Sequence, residues 1–146
     1  IDIVLKEKNK ERYRIIDFKT SSSGWNQYQK EDVSKITQLH LYKSVYSKKF
    51  NVPLNAIDVE FFIVKRKLYE NVTFPQSRIQ VFKPAAGPTI LKESINSFVE
   101  FLDYGFNSDG TYNESNQYIK VPGNAKKNCK YCTHYKKTCD GKATKL

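Results

Sequence analysis

The chain has 146 residues, about the length of one domain, and 39% of them are hydrophobic, so it can bury a core without disulfide or metal staples. No run approaches the roughly 18 apolar residues of a membrane span and no signal peptide is visible, so we expect a soluble, cytoplasmic protein with no membrane partner. The formal net charge of +10 indicates a polyanionic partner such as DNA, although a Lys-rich and Asn-rich composition alone also produces such a charge.

The chain opens with two segments that we predict to be β-strands, residues 1–5 and 13–20, because both are rich in β-branched and aromatic residues. The polar run between them, residues 6–11, is typical of a hairpin loop. The sequence contains no methionine and begins within the first predicted strand. We therefore expect that residues upstream of Ile1 are missing and that they help to complete the site.

The second predicted strand carries Asp17 and Lys19, which point the same way because alternate residues of a strand share a face. If the first strand pairs with the second, Asp2 comes to lie beside them. Two carboxylates suit a hard divalent cation, and a neighbouring lysine can contact whatever the cation binds. The pattern predicts a phosphodiester-cleaving centre, with a salt bridge on an edge strand as the alternative.

A run of small polar residues from Thr20 to Gly24 follows this strand and predicts a loop at the border of a substrate site. Trp25 lies just beyond the loop. One interpretation is that its ring stacks on bases of the substrate, which contributes about 1–3 kcal/mol per base in proteins that bind single strands. The other is that the ring packs beneath the loop.

Residues 31–49 contain no glycine or proline and repeat apolar residues at helical spacing, so we predict a helix that ends near Asn51. Gln38 and Tyr42 are four residues apart and therefore share one helix face. They either contact a substrate or form a buried tyrosine satisfied by a neighbouring amide. His40 falls on another face, where we expect an ordinary, partly exposed histidine.

The next segments complete a β-α-β pattern, since the apolar run at residues 57–64 is typical of an interior strand. The basic cluster after it, residues 65–67, contacts phosphates or solvates the strand end. We predict a further strand at residues 78–82 and a helix that begins near Thr89. The apolar stripe of this helix is expected to pack against the sheet as core, and it consists of Leu91, Ile95, Phe98, Val99 and Leu102.

From residue 107 the chain is polar and loses its periodicity, with Asp109-Gly110 as a turn signal. We therefore divide it into a core domain, residues 1–106, and a C-terminal extension, residues 107–146. The extension holds all three cysteines, Cys129, Cys132 and Cys139. In an intracellular protein this spacing indicates metal ligation rather than a disulfide.

The ordered motifs, Asp2, then Asp17-Phe18-Lys19, then Gln38-x-x-x-Tyr42, resemble those of the PD-(D/E)XK nuclease superfamily. The Gln-x-x-x-Tyr element is similar to that of its RecB-like and AddB-like branch, which is related to the CRISPR-adaptation nucleases. The resemblance implies an α/β fold with a mixed central β-sheet flanked by helices. It also implies a metal-dependent deoxyribonuclease, in particular an exonuclease of DNA repair, recombination or phage DNA metabolism, from a bacterium or a phage.

The resemblance further implies a role for each motif residue. Asp2 and Asp17 would hold Mg²⁺ or Mn²⁺, helped by the carbonyl oxygen of Phe18, and Lys19 would steady the attacking water or the developing charge. Gln38 and Tyr42 would help to hold the nucleic acid near the metal. A helicase or recombination protein would be a partner.

The three cysteines are also similar to the C-terminal trio that holds an iron–sulfur cluster in AddB-like nucleases. A [4Fe–4S] cluster and a zinc ion each take four ligands, so we expect a fourth cysteine upstream, and the resemblance favours the cluster over zinc. His134 follows Cys132 too closely to converge easily with the trio. Two rival functions stay open: a non-catalytic nucleic-acid-binding module with a structural zinc, and a degenerate nuclease fold that serves as a scaffold.

Overall fold

A computed structural model describes residues 1–122 and 124–142, with the side chains of residues 124–126 excepted. The chain divides into two compact units, Ile1–Glu100 and Phe101–Leu146. The first unit contains the sheet and all of the predicted motif residues except the cysteines. Within the described ranges, no helix is long and apolar enough to cross a membrane.

The first unit is built on a four-stranded sheet whose strands lie in chain order. The strands are β1 (Ile3–Lys6), β2 (Tyr13–Ser21), β3 (Ile57–Lys65) and β4 (Ile79–Phe82). The two outer pairs are antiparallel, whereas β2 and β3 are parallel. The sheet is therefore mixed, as the sequence predicts.

The parallel pair is possible because a helix carries the chain back to the end of the sheet at which β2 begins. Between β2 and β3 lie the short helix α1 (Gln27–Lys30) and the long helix α2 (Val33–Phe50). Asp32 caps the start of α2, where its side chain accepts a hydrogen bond from the Ser34 amide. Asn51 ends it in the left-handed conformation at φ 52°, close to the predicted stop.

The core lies between α2 and one face of the sheet, which we call the inner face. Because side chains alternate along a strand and β2 pairs in register with β3, Ile15 and Val59 lie side by side on it, as do Asp17 and Phe61. Leu39 of α2 is fully buried against this layer. Burial of one such aliphatic side chain contributes about 1.5–3 kcal/mol. The charged pair of β2, Asp17 and Lys19, thus lies next to this apolar layer.

His40 is not the partly exposed histidine that the helix pattern predicts. It is only 1% exposed, and its ring nitrogens lie 2.7 Å from the Ser94 hydroxyl and 2.8 Å from the Ala85 carbonyl oxygen. The prediction was wrong because helix periodicity alone does not reveal that the segment leading into the last helix packs over this position.

That last helix, α3 (Pro88–Gly105), forms where the sequence predicts it, but its apolar stripe is mostly exposed. Leu91 is buried and Ile95 is partly buried, as expected for core residues. Phe98, Val99 and Leu102 are each about 40% exposed. The expectation that the whole stripe packs as core is therefore wrong beyond its first turns.

The second unit is organised locally by turns. The predicted Asp109-Gly110 turn is present: the Gly110 amide donates to the Asn107 carbonyl oxygen, and Gly110 adopts a positive φ of 83°. Phe106 and Tyr112 form an antiparallel bridge on either side of it. A short 3₁₀ helix, Asn124–Cys129, leads into the cysteine-containing tail.

The N-cap of α2 gives a pH-dependent prediction. A hydrogen bond from the Lys35 ammonium, assisted by the Ser34 hydroxyl, lowers the pKa of Asp32 to about 2. Since this value lies below the ordinary value of 3.8, the stabilisation is complete above pH about 4 and is lost as the pH falls towards 2. Asp32→Ala should lower the free energy of unfolding at neutral pH by about 0.5–2 kcal/mol.

Urea unfolding at a series of pH values checks this. The free energy of unfolding of the wild type should exceed that of Asp32→Ala by less and less as the pH falls. Asp32→Asn keeps a capping oxygen without the charge, so its own free energy of unfolding should not show this pH dependence. A difference that is constant from neutral pH to pH about 2 would contradict the proposed role of the ionised cap.

Candidate active site

The centre of the candidate site is an ion pair on the inner face of β2. The Asp17 carboxylate is almost fully buried, and its Oδ2 lies 2.7 Å from Nζ of Lys19. That oxygen accepts no hydrogen bond from any described residue. Lys19 therefore balances the charge of Asp17 but does not donate a hydrogen bond to this oxygen. A buried carboxylate in this state is costly unless charge or donors surround it. Asp17 is therefore a candidate ligand for a cation that would share this carboxylate with Lys19.

Asp2 reaches the same place through strand pairing. Ile3 pairs with Ile16, so the residue before Ile3 lies opposite Asp17. The backbone amide of Phe18 donates a 2.7 Å hydrogen bond to Oδ2 of Asp2. The expected pairing of the first two strands is thus confirmed, and it brings the second carboxylate to the backbone between Asp17 and Lys19.

Helix α2 adds two polar side chains to the centre. Lys19 Nζ donates a 2.9 Å hydrogen bond to Oε1 of Gln38, and Nε2 of Gln38 donates a 2.8 Å hydrogen bond to the Tyr42 hydroxyl. One ion pair and two hydrogen bonds therefore link Asp17, Lys19, Gln38 and Tyr42 in a chain. Asp17 on β2 and Gln38 on α2 therefore hold the Lys19 ammonium group from two sides.

This chain borders an open groove of about 570 Å³, which we call the α2 groove. Besides Lys19, Gln38 and Tyr42, the groove is lined by Ser34, Lys35, Thr37 and Leu41. Sequence reasoning missed these four residues. Ser34, Lys35 and Leu41 lie three or four residues from Gln38, and this spacing is the signal that would have found them, since such residues share one face of α2.

The donor set fits a hard divalent cation. Asp2 and Asp17 supply carboxylate oxygens, the ligand type that Mg²⁺ and Mn²⁺ prefer, and Oδ2 of Asp17 is buried without a hydrogen bond from any described residue. Across the described part of the chain, no group of three or more His, Cys, Asp or Glu side chains is arranged to hold a metal.

Trp25 is not available to stack on a base. Its side chain is 6% exposed, and its ring lies 5.0 Å from that of Phe61 in the core. The Gln80 side chain accepts from the Trp25 amide and donates to its carbonyl oxygen, at 2.7 Å and 3.1 Å. Gly24, at φ 109°, lets the chain turn where a Cβ atom would meet Gln80. Of the two predicted roles, packing beneath the loop is the one the fold adopts.

The cysteines do not form the predicted metal centre within the described residues. All three are free thiols, and Cys129 is buried whereas Cys132 is exposed. A tetrahedral zinc or an iron–sulfur cluster needs its ligands to converge on one point, and no such convergence of three ligands is present in the ranges described. The iron–sulfur and zinc predictions are therefore unsupported, and no chemistry is assigned to the trio.

The fold and the site together define an α/β protein with a carboxylate-lysine centre on adjacent strands of a mixed sheet. A family model, that of the PD-(D/E)XK nuclease superfamily, matches residues 1–140. The chain belongs to the PD-(D/E)XK nuclease superfamily. Neither curated proteins nor solved structures gave a significant match.

The burial of Trp25 predicts a loss of stability on truncation. Trp25→Ala should lower the free energy of unfolding by about 3–5 kcal/mol, because it removes a large ring from between Phe61 and Phe82. Denaturant unfolding measures this directly. Tyr28→Ala, which truncates a ring that is 72% exposed, is the control and should cost far less. Equal stability of the two variants would contradict the core assignment.

Proposed function

We propose that this protein is a metal-dependent deoxyribonuclease that hydrolyses phosphodiester bonds at the centre formed by Asp2, Asp17 and Lys19. The observation that carries the proposal is the single hydrogen-bonded and ion-paired chain from Asp17 through Lys19 to Gln38 and Tyr42. The membership in a nuclease superfamily supports the reaction class. The net charge of +10 supports a polyanionic substrate.

Asp2 and Asp17 would hold Mg²⁺ or Mn²⁺, with the carbonyl oxygen of Phe18 as a further oxygen donor. Such an ion, when bound, polarises a phosphate and lowers the pKa of an attacking water. The protein's own contribution is to keep Asp17 in a water-poor position, where electrostatic interactions are stronger than in bulk solvent. The burial of this carboxylate therefore favours a tightly held cation over a loosely associated one.

Lys19 would stabilise the negative charge that develops on the phosphate or orient the attacking water. The Lys19 side chain is 30% exposed and lines the α2 groove, and its ammonium group lies against Asp17. A cation that is already fixed before the reaction stabilises developing charge without reorganisation. Gln38 supplies that fixation, and we therefore propose it as a positioning residue for Lys19.

Tyr42 would contact the substrate strand. Its hydroxyl oxygen accepts from Gln38, which leaves its own O–H to donate towards a phosphate in the α2 groove. Lys35 and Thr37 line the same groove and would contact the neighbouring phosphates. The groove would thus hold the strand backbone, while the carboxylate pair acts on one of its phosphates.

The order of the motifs favours the RecB-like and AddB-like branch of the superfamily. On that basis we propose exonuclease action in DNA repair, recombination or phage DNA metabolism, with a helicase or recombination protein as a partner and the bacterial or phage-infected cytoplasm as its location. The three cysteines take no part in this reaction, because no group of three or more metal ligands among the described residues is arranged to hold a metal.

The full-length protein should degrade DNA in the presence of Mg²⁺ or Mn²⁺. Asp2→Asn, Asp17→Asn and Lys19→Met should each lower the rate by about 10²-fold or more, because each removes a charge from the reacting centre. Gel assays of a labelled DNA measure the rate, and thermal unfolding of each variant checks the fold. Full turnover by a folded Asp17→Asn protein would rule out this centre.

Two variants give the matched comparison for this test. Asp58→Asn removes a carboxylate that pairs with Arg12 on the opposite sheet face, so it should keep wild-type turnover. Gln38→Ala removes the acceptor of Lys19 and should slow cleavage about 10-fold without changing metal affinity, since an amide is not a charged ligand. Loss of metal binding in Gln38→Ala would instead make Gln38 a support of the carboxylates.

A further inference from the structure

A second pocket of about 380 Å³ lies at the edge of the sheet where the parallel strands β2 and β3 both end. We call it the edge pocket. In α/β sheets, ligands bind preferentially in crevices outside the carboxyl ends of parallel strands. Lys65, the last residue of β3, lines the pocket together with residues of the two loops that follow these strands: Ser22, Ser23, Lys67, Leu68 and Tyr69.

The register of the parallel pair places this pocket beside the catalytic centre. Lys19 pairs with Ile63 and Ser21 pairs with Lys65, so Lys65 lies on the inner face, one step of the pleat beyond Lys19. At about 3.3 Å per residue, that step is roughly 7 Å along the strand. The two loops stay joined beyond the strands, because the Lys67 amide donates to the Ser22 carbonyl oxygen at 2.8 Å. The edge pocket therefore continues the surface that begins at Asp17 and Lys19.

Tyr69 is held in the pocket by its backbone and not by its ring. The Gln76 side chain accepts from the Tyr69 amide at 2.7 Å and donates to its carbonyl oxygen at 2.8 Å. The ring itself is 67% exposed. An aromatic ring with a fixed backbone and an open face is suited to stacking against a planar ligand.

The charge of the pocket suits an anionic ligand. Lys65 and Lys67 supply two positive charges, against the single carboxylate of Glu70 in the lining. Arg66 donates a 3.2 Å hydrogen bond to the Ser22 hydroxyl and adds positive charge next to the pocket. Leu68 contributes apolar surface. A flat, partly apolar ring with an attached phosphate matches this combination of an aromatic ring, an apolar side chain and lysines.

We propose that the edge pocket binds one unpaired nucleotide of the substrate strand, next to the scissile phosphate, with its base on Tyr69 and its phosphate facing Lys65 and Lys67. The inference rests on the proposed function, which places the scissile phosphate in the neighbouring α2 groove. A base inside a duplex has both of its faces covered by its neighbours, so stacking on Tyr69 requires an unpaired base. The substrate class is therefore single-stranded DNA or a frayed DNA end.

The test measures binding without catalysis, by fluorescence anisotropy of labelled oligothymidylate and of a blunt duplex with the full-length protein in EDTA. Tyr69→Ala should weaken binding of the single strand about 5- to 150-fold, the size of one lost base stack, and should change duplex binding little. Tyr69→Phe keeps the ring and should bind like the wild type. Tyr131→Ala, which truncates a ring that is 87% exposed in the other unit, is the control and should also bind like the wild type.

A single abasic nucleotide, moved along the oligonucleotide, locates the stacked base. With the wild type, an abasic nucleotide at one position should weaken binding of the oligonucleotide. With Tyr69→Ala, an abasic nucleotide at that position should weaken binding no further. The inference is overturned if Tyr69→Ala binds like Tyr131→Ala, if it loses single-strand and duplex binding equally, or if Tyr69→Phe binds as weakly as Tyr69→Ala. A protein that shows the Tyr69 effect in EDTA yet cleaves no DNA with Mg²⁺ or Mn²⁺ would retain the nucleotide pocket and lose the nuclease function.

Discussion

The buried charge of Asp17 is the constraint on which the site depends. A carboxylate that is 3% exposed on an otherwise apolar sheet face is tolerated only with a compensating charge, and Lys19 provides it from the same strand. The lysine in turn needs a polar partner, which Gln38 supplies from α2. The burial of Asp17 therefore links β2, through Lys19 and Gln38, to α2. A buried carboxylate paired with a lysine is a candidate for a functional role, because well-packed apolar residues in place of a buried ion pair often stabilise a fold equally well or better.

Local pattern was enough to predict that these side chains lie together, because they are on regular elements. The alternation of β2 puts Asp17 and Lys19 on one face, and the four-residue step of α2 puts Gln38 with Tyr42. The mixed sheet follows from the same logic, since a helix between two apolar strands favours a parallel pair. These predictions required no knowledge of distant contacts beyond the pairing of adjacent strands.

The sequence patterns left open or misjudged the residues whose environment is set by segments far away in the chain. Trp25 is covered through Gln80, which follows it by 55 residues, and His40 is buried by contacts with residues 85 and 94. Phe98 shows the converse case, since an apolar stripe on a helix predicts burial only where something packs on it. The cysteines carried a spacing typical of metal sites, but spacing does not guarantee that three thiols converge. In each case the sequence specifies the residue type and tertiary packing decides its use.

Calorimetric titration with Mn²⁺ shows whether Asp2 and Asp17 hold one divalent cation in common. We expect one binding site in the wild type, with an affinity that Asp2→Asn and Asp17→Asn each weaken. The double variant should lose clearly less binding free energy than the sum of the two single losses. Additive losses within about 0.5 kcal/mol would mean that the two carboxylates act independently, and unchanged affinity in either single variant would mean that it is no ligand. Either result would contradict the shared site from which the proposed function follows.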